Sequence, residues 1–413
     1  MMKRVFVTLI ALLVVAVMPL SLISCGSEGS GGEILYVYNW GEYISDGSEE
    51  SYDTNAEFEK WYYEQTGKKI NVVYSTYSSN EDMYAKLTAG AVSYDVIIPS
   101  DYMIERLIKE EWLLPLDFGN IPEASNISPD FMGENAEFDY YDEGSVYSVP
   151  YFYGMIGIIY NTTMVDESDL GSWELMWSEK YKGNILQFNN SRDAFGTAQY
   201  KLGIDVNTTD EGQWRRALEE LKKQKDIVQG YVMDEIFNKM EGGSAAISAY
   251  YAGDFMSMYE NNEDLDFFYP SEGTNLYVDA MCIPKCTQNK TAAEMYINFM
   301  CSKEAAIANA EYTYYASPND AVRDDPEYVE YMNSIKDDGY DIMYDAEIMK
   351  KATPYRNLTG EDLALINNLW EELKSDISVS PVIIALCAVI VVSIATLVTV
   401  SIVRKRMRRK FYA

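Results

Sequence analysis

Histidine is absent from the 413-residue sequence, and with it the side chain that most often acts as a general base in enzymes. A nucleotide-binding glycine loop and a Gly-x-Ser-x-Gly elbow are absent as well. A structural zinc ion takes four nitrogen or sulfur ligands, and the cysteines have no histidine to complete such a set. The sequence therefore predicts no cofactor, no metal site and no enzymatic activity.

Cysteine is scarce, with five residues in the chain. Cys25 and Cys387 lie in apolar terminal segments, which leaves Cys282, Cys286 and Cys301 for the rest of the chain. Three cysteines cannot all pair, so the sequence gives no disulfide framework. We interpret these three as mostly buried small hydrophobic residues, and whether two of them form a disulfide stays open.

Basic residues are few, with 33 Lys and Arg against 65 Asp and Glu and a formal net charge of −32 at pH 7. Eight of the basic residues lie in residues 1–25 and 404–413, which contain no acids, so the rest of the chain has a net charge of about −40. Such a charge repels nucleic acid and attracts cations. The negative charge therefore excludes a nucleic-acid partner. It only supports a cationic ligand, because solubility alone explains most of the charge.

The first 25 residues have the pattern of a secretory signal, which is excluded from the fold. Two basic residues precede an apolar run, and Leu22-Ile23-Ser24-Cys25 resembles a bacterial lipobox. In such signals the cysteine is acylated, so Cys25 is the predicted lipidation site and residues 26–33 a Ser/Gly-rich tether. The alternative is an ordinary signal peptide with an incidental cysteine.

Residues 381–403 form a run of 23 residues without a charge, which is long enough for a helix to cross a bilayer. Six basic residues follow in the tail, residues 404–413, and basic flanks stay on the cytoplasmic side. This pattern predicts a C-terminal transmembrane helix, a cytoplasmic C-terminus and a cell-membrane protein whose main part is extracytoplasmic.

Between these ends, apolar β-prone runs alternate with segments of helical periodicity. Strands are predicted at 34–38, 70–74 and 95–98, with helices at 55–66 and 81–89 between them. A second alternating region begins near residue 148 with a strand-rich segment at 149–161, and the C-terminal part is predicted to be helical up to residue 374. Such alternation predicts right-handed βαβ units, and about 350 residues exceed one ordinary core. We expect two parallel-sheet lobes with a ligand cleft beyond the carboxyl ends of the strands.

The segment Asn39-Trp40-Gly41-Glu42-Tyr43 resembles the periplasmic spermidine/putrescine-binding proteins of polyamine ABC transporters. The resemblance runs from about residue 35 to 373, with colinear blocks that include 74–87, 94–102 and 148–161. It implies an α/β, two-lobed type II periplasmic-binding-protein fold with a hinge and an interlobe cleft. Lobe 1 is expected to contain residues 34–146 and 281–320, and lobe 2 residues 147–280 and 321–376.

A buried polyamine needs a carboxylate for each ammonium group and aromatic walls for its methylenes. The resemblance implies such a site, with Asp279 as the principal ammonium partner. Its expected residues are Trp40, Glu42, Tyr43, Ser100, Tyr102, Asn190, Asp193, Tyr251, Tyr277, Asp279, Tyr315 and Arg356.

Three positions depart from the family pattern. Gly41 replaces a polar residue, Asn190 an aspartate and, in a loose alignment, Arg356 a glutamine. A lost carboxylate and a gained guanidinium reduce the number of amines that the pocket can hold, which favours the shorter diamine over spermidine.

The predicted function is capture of a polyamine, putrescine or spermidine, and its delivery to the permease subunits of an ABC importer. One alternative is a binding protein for another small cationic solute. Another alternative is a glycoside hydrolase, since such an enzyme also uses a pair of carboxylates in an aromatic cleft. A membrane-attached sensor domain that signals through a partner is a further alternative.

Overall fold

A computed structural model describes residues 32–134 and 136–375. The predicted signal peptide, Cys25, the tether up to residue 31, the run 381–403 and the basic tail lie outside the described residues. No helix in the described part of the chain is long and apolar enough to span a bilayer. The last described helix, Gly360–Ser375, carries four acids and a lysine. The predicted fold class is therefore corrected to its α/β part, because the described residues contain no transmembrane helix.

Nine strands form the sheet of the described residues, in the order β2-β1-β3-β9-β4-β7-β5-β6, with β8 paired to β4. Their bounds are β1 Glu33–Trp40, β2 Ile70–Tyr77, β3 Val96–Ile97, β4 Ser148–Asn161, β5 Ile185–Phe188, β6 Val228–Val232, β7 Ile247–Tyr251, β8 Leu265–Phe268 and β9 Leu276–Cys282.

The long strand β4 joins two halves of this sheet. All of its 14 residues are buried, as expected for an uninterrupted apolar run that is covered on both faces. Its first part pairs antiparallel with β9, and its second part pairs with β7 and β8. Strands β1, β2 and β3 run parallel on the β9 side, and β5, β6 and β7 run parallel on the other side.

Helices cover both halves of the sheet. Their bounds are α1 Thr54–Thr66, α2 Asn80–Ala89, α3 Asp101–Lys109, α4 Ser191–Leu202, α5 Glu211–Lys225, α6 Glu235–Glu241, α7 Ala252–Asn261, α8 Lys290–Met300, α9 Lys303–Thr313, α10 Asp320–Arg323, α11 Pro326–Ile335, α12 Gly339–Met343, α13 Ala346–Met349 and α14 Gly360–Ser375. Short 3₁₀ segments occur between them, mainly at 118–126 and 167–181.

The late helices complete both halves. Helices α8 and α9 pack against α1, and α14 packs against α4 and α5. Where α14 packs against α4 and α5, a separate apolar cluster contains the fully buried side chains of Phe195, Trp214 and Ile366. The chain therefore returns to each half of the sheet after crossing between them. The exact lobe boundaries stay a prediction.

The C-terminal region differs from the continuous helical pattern expected from the sequence. Helices α10 to α13 are short, and residues 350–359 lie outside regular helix. This segment passes beside α4 and the loop that follows it, and the backbone N–H of Arg356 donates to Asn207 Oδ1 in that loop at 2.8 Å. The consequence is that Tyr355 reaches the cavity described next.

Candidate functional site

A cavity of about 830 Å³, which includes space open to solvent, lies between the two halves of the sheet. Segments that follow the carboxyl ends of β1, β2 and β3 line one side, and those that follow β5, β6 and β7 line the other. Carboxyl ends are where open α/β sheets bind ligands. Its lining residues are Trp40, Gly41, Glu42, Tyr43, Tyr77, Ser78, Ser79, Asn80, Glu81, Ser100, Asp101, Tyr102, Asn190, Arg192, Asp193, Met233, Asp234, Phe237, Tyr250, Tyr251, Asp254, Asn275, Tyr277, Asp279, Tyr315 and Tyr355.

Acidic side chains dominate the charge of this lining. Seven carboxylates face a single basic residue, Arg192. The acids are Glu42, Glu81, Asp101, Asp193, Asp234, Asp254 and Asp279. A partly enclosed cavity with this excess of negative charge attracts cations and disfavours anions.

Aromatic rings form most of the remaining wall and contact one another. The ring of Tyr43 lies edge-on to that of Tyr315 at 4.7 Å between centroids, and Tyr251 lies edge-on to Tyr277 at 5.4 Å. Such rings cover methylene groups and attract cations over their faces.

Two glycines allow these rings to lie close to the backbone. A Cβ on Gly154 would lie 2.4 Å from the hydroxyl of Tyr277, and one on Gly253 would lie 2.6 Å from the ring of Tyr315. Any larger residue at either position would force the ring or the backbone to move. The two glycines therefore allow Tyr277 and Tyr315 to keep their positions in the cavity wall.

Asp279 lies in β9 and is 4% exposed. Its Oδ2 accepts a hydrogen bond from the Tyr43 hydroxyl at 2.7 Å, whereas its Oδ1 has no partner among the described residues. Burial raises the pKa of Asp279 to about 7, although Ser100 and Tyr43 favour its ionised form. A buried acid with an unused oxygen in a cavity fits a cationic ligand group.

Asp193 lies in the first turn of α4 and is held by two neighbours. Its Oδ2 accepts from the Tyr251 hydroxyl at 2.6 Å and from Asn190 Nδ2 at 2.8 Å. Asn190 also caps α4, because its Oδ1 accepts from the Asp193 backbone N–H at 2.9 Å. Burial raises the pKa of Asp193 despite these donors. The side chain of Asn190 thus orients Asp193.

Asp254 and Asp101 also line the cavity, and the sequence reasoning missed both. Burial raises the pKa of Asp254 to about 8, with Asp234 and Glu42 adding repulsion. Burial likewise raises the pKa of Asp101 to about 7, and Asp101 accepts from the Tyr140 hydroxyl and the Tyr102 backbone N–H. The carboxylate of Asp101 is therefore hydrogen-bonded within the protein, whereas Asp254 adds to the acidic surface that a ligand can contact.

Gly41 and Glu42 approach the opposite wall. A Cβ on Gly41 would lie 2.9 Å from Asp234 Oδ2, so the departure from the family pattern at this position makes room for that carboxylate. Glu42 adopts a left-handed backbone conformation with φ of 48°. Burial is the largest cause that raises the pKa of Glu42, and repulsion from Asp234 and Asp46 raises it further.

The structure does not bring Arg356 to the cavity. Its guanidinium pairs with Glu105 through Nη2 at 2.9 Å and Nε at 3.1 Å, and its side chain is 45% exposed. The guanidinium that lines the cavity belongs to Arg192, which lies over the Tyr355 ring at 4.5 Å. The eleven other expected site residues all line the cavity.

Sequence reasoning also missed Asn80, Glu81, Arg192, Asp234, Asn275 and Tyr355, along with several neighbours of these residues. The sequence contained a signal for two of the missed residues, because Asp101 and Arg192 directly adjoin the expected site residues Ser100 and Asp193. Asp234 carried no such signal.

The three cysteines among the described residues lie outside this cavity. Cys282, Cys286 and Cys301 are free thiols, and none of them lines it. Within residues 32–134 and 136–375, no group of three or more Cys, Asp or Glu residues is arranged to hold a metal ion.

Comparisons with known proteins agree with this architecture. Residues 55–335 match the family model described as bacterial extracellular solute-binding protein. The spermidine/putrescine-binding periplasmic protein of Salmonella typhimurium is 30% identical over 357 residues, covering 86% of this chain and 96% of the relative. That of Escherichia coli K12 is 32% identical over 305 residues, covering 74% and 83%.

A solved structure gives the same result. The spermidine/putrescine ABC transporter substrate-binding protein PotD of Streptococcus pneumoniae matches with a TM-score of 0.64 and 34% identity, covering 83% of this chain and 98% of that one. The predicted localisation with a membrane-spanning helix and a cytoplasmic C-terminus is corrected, because the relatives are named periplasmic and no described helix could span a membrane. The fold, the acidic aromatic cavity and these matches together show that the chain belongs to the family of bacterial extracellular solute-binding proteins.

Proposed function

We propose that this solute-binding protein captures a polyamine in the cavity between the two halves of its sheet and delivers it to an ABC importer. The observation that carries the proposal is the lining, in which seven carboxylates face one guanidinium within an aromatic wall. Relatives named for spermidine and putrescine binding support the same ligand class.

The physics of a polyamine matches this lining. Each ammonium group that leaves water must find a carboxylate or another acceptor, or its desolvation is prohibitive. Asp279, Asp193 and Asp254 are buried acids on three different elements. Between them, the rings of Tyr43, Tyr251, Tyr277 and Tyr315 offer flat surfaces for methylene groups.

Delivery would follow from closure of the cavity. The two lobes, residues 34–146 with 281–320 and residues 147–280 with 321–376, belong to this proposal. A ligand that contacts both lobes shifts an open–closed equilibrium by its differential affinity for the two forms. The closed form would dock on the permease and release the solute without any covalent change.

Thermal unfolding of the purified full-length protein tests the ligand class. At 1 mM, putrescine, spermidine or both should raise the melting temperature, since a ligand present at about a hundred times its Kd adds about 2.7 kcal/mol to the free energy of unfolding. Glutamate and maltotriose, an anion and a neutral sugar, should not. Stabilisation by a different small cation alone would favour the alternative solute class. Release of chromophore from a panel of nitrophenyl glycosides would favour the glycoside hydrolase.

A further inference from the structure

Two alternate positions of β9 and the residue that immediately precedes the strand present polar atoms that have no hydrogen-bond partner among the described residues. They are Asn275 Oδ1, the hydroxyl of Tyr277 and Asp279 Oδ1. All three residues line the cavity and are buried, with 2%, 7% and 4% of their surface exposed. Because side chains alternate between the faces of a strand, these atoms form a row along one face.

Asn275 immediately precedes β9 and is the unexplained member of this row. Buried carbonyl oxygens nearly always accept a hydrogen bond, and one left without a donor is costly. The acidic character of the cavity does not account for an asparagine at this position. A ligand N–H group in the cavity would supply the missing donor.

The spacing along the row sets the length of a ligand that could use it. At about 3.3 Å per residue, Asn275 lies about 13 Å along the strand from Asp279, and Tyr277 lies about midway. An extended chain advances about 3.3–3.6 Å for every three bonds. The five bonds between the nitrogens of putrescine therefore span about 6 Å, and the nine bonds between the terminal nitrogens of spermidine span about 11 Å.

We propose that Asn275 binds the far amino group of a triamine whose other end is bound by Asp279, so that it selects for ligand length. This inference rests on the proposed polyamine function and deepens it. It reverses the sequence-based preference for the diamine. The carboxylate lost at Asn190 is offset by others, since Asp234 and Asp254 also line the cavity. The guanidinium of Arg356 lies outside the cavity.

The variant Asn275→Leu tests the inference, because leucine keeps the size of the side chain and removes its acceptor. Calorimetric titration of the full-length protein should show spermidine binding weakened by about ten- to a hundredfold, as expected for the loss of a hydrogen bond to a charged group. Putrescine binding should change by less than about threefold, since the diamine does not reach this residue. Asn261→Leu, at an exposed position of α7, is the matched control and should alter neither affinity.

Equal losses for both amines, or no loss for either, would overturn the role of Asn275. If Asn275→Leu fails to fold, Asn275→Asp decides, because an added carboxylate should increase the ratio of spermidine to putrescine affinity. An unchanged ratio in that variant would also overturn the inference. Wild-type protein that binds neither amine would instead refute the proposed function, so the two failures are distinguishable.

Discussion

Replacement of Asp279 by asparagine is expected to weaken polyamine binding by about 2–5 kcal/mol, the usual loss when one partner of a buried charge pair is removed. Asparagine keeps the shape of the side chain and an acceptor for the Tyr43 hydroxyl, so the main change is the lost charge. Titration calorimetry should therefore show Kd raised by about thirty- to several-thousandfold. The effect is large because Asp279 is buried and its Oδ1 has no other partner among the described residues.

Two controls separate binding from folding. Asp264→Asn removes one negative charge at an exposed position outside the cavity and should leave the affinity unchanged. The melting temperature of ligand-free Asp279→Asn protein at pH 8 should equal or exceed that of the wild type. Burial raises the pKa of Asp279 to about 7, so at pH 8 the wild type holds an unfavourable buried charge that asparagine lacks. Unchanged polyamine affinity would show that another carboxylate holds the ammonium group.

Polyamine affinity is expected to increase steeply with pH between about 5.5 and 8. The pKa values of Asp279 and Asp254 are raised by burial to about 7 and about 8, so both are protonated in the empty cavity at pH 5.5. Alkyl ammonium groups, with a pKa near 10.4, stay charged throughout this range. Binding must then release a proton from each acid that receives an ammonium group, and each released proton makes Kd fall about tenfold per pH unit.

The stability of the ligand-free protein should change with pH in the opposite sense. A carboxyl group whose pKa is raised on folding binds more protons in the folded state than in the unfolded state. Its contribution to the free energy of unfolding is therefore lost as the pH rises from about 4 to 8. The increase in melting temperature caused by spermidine should be small at pH 5.5 and large at pH 8. Calorimetry in buffers of different ionisation enthalpy counts the released protons, and a pH-independent affinity with no proton release would contradict the raised pKa values.

The sheet could be predicted because its signal is local. The apolar runs that begin at Ile34 and Ser148 lie in β1 and β4, and both strands differ from the expected ranges by no more than two residues at each end. The loops that follow the carboxyl ends of the strands were also predictable, since their position follows from parallel pairing. Strand β6 was missed because Val228–Val232 is short and contains a glycine and a glutamine.

Several cavity residues could not be predicted because they come together only through tertiary packing. Asp254 and Asp101 are acids in the first turn of a helix, where acids are common for reasons unrelated to ligands. Tyr355 lies in an irregular segment that the sequence pattern assigned to helix. Arg356, its neighbour, was placed in the cavity by a loose alignment, whereas the structure pairs it with Glu105. A shift of one residue in such a segment reverses which side chain faces a ligand.

Titration calorimetry of the full-length protein at pH 8 with spermidine, putrescine and the uncharged butane-1,4-diol shows whether the cavity binds a ligand through its charged amines. We expect binding of one polyamine per chain with a Kd of about 1 µM or tighter, and no detectable heat of binding with the diol, whose carbon chain equals that of putrescine. No binding of either amine, or equal binding of the diol, would contradict the conclusion that the carboxylates of this cavity hold a polyamine.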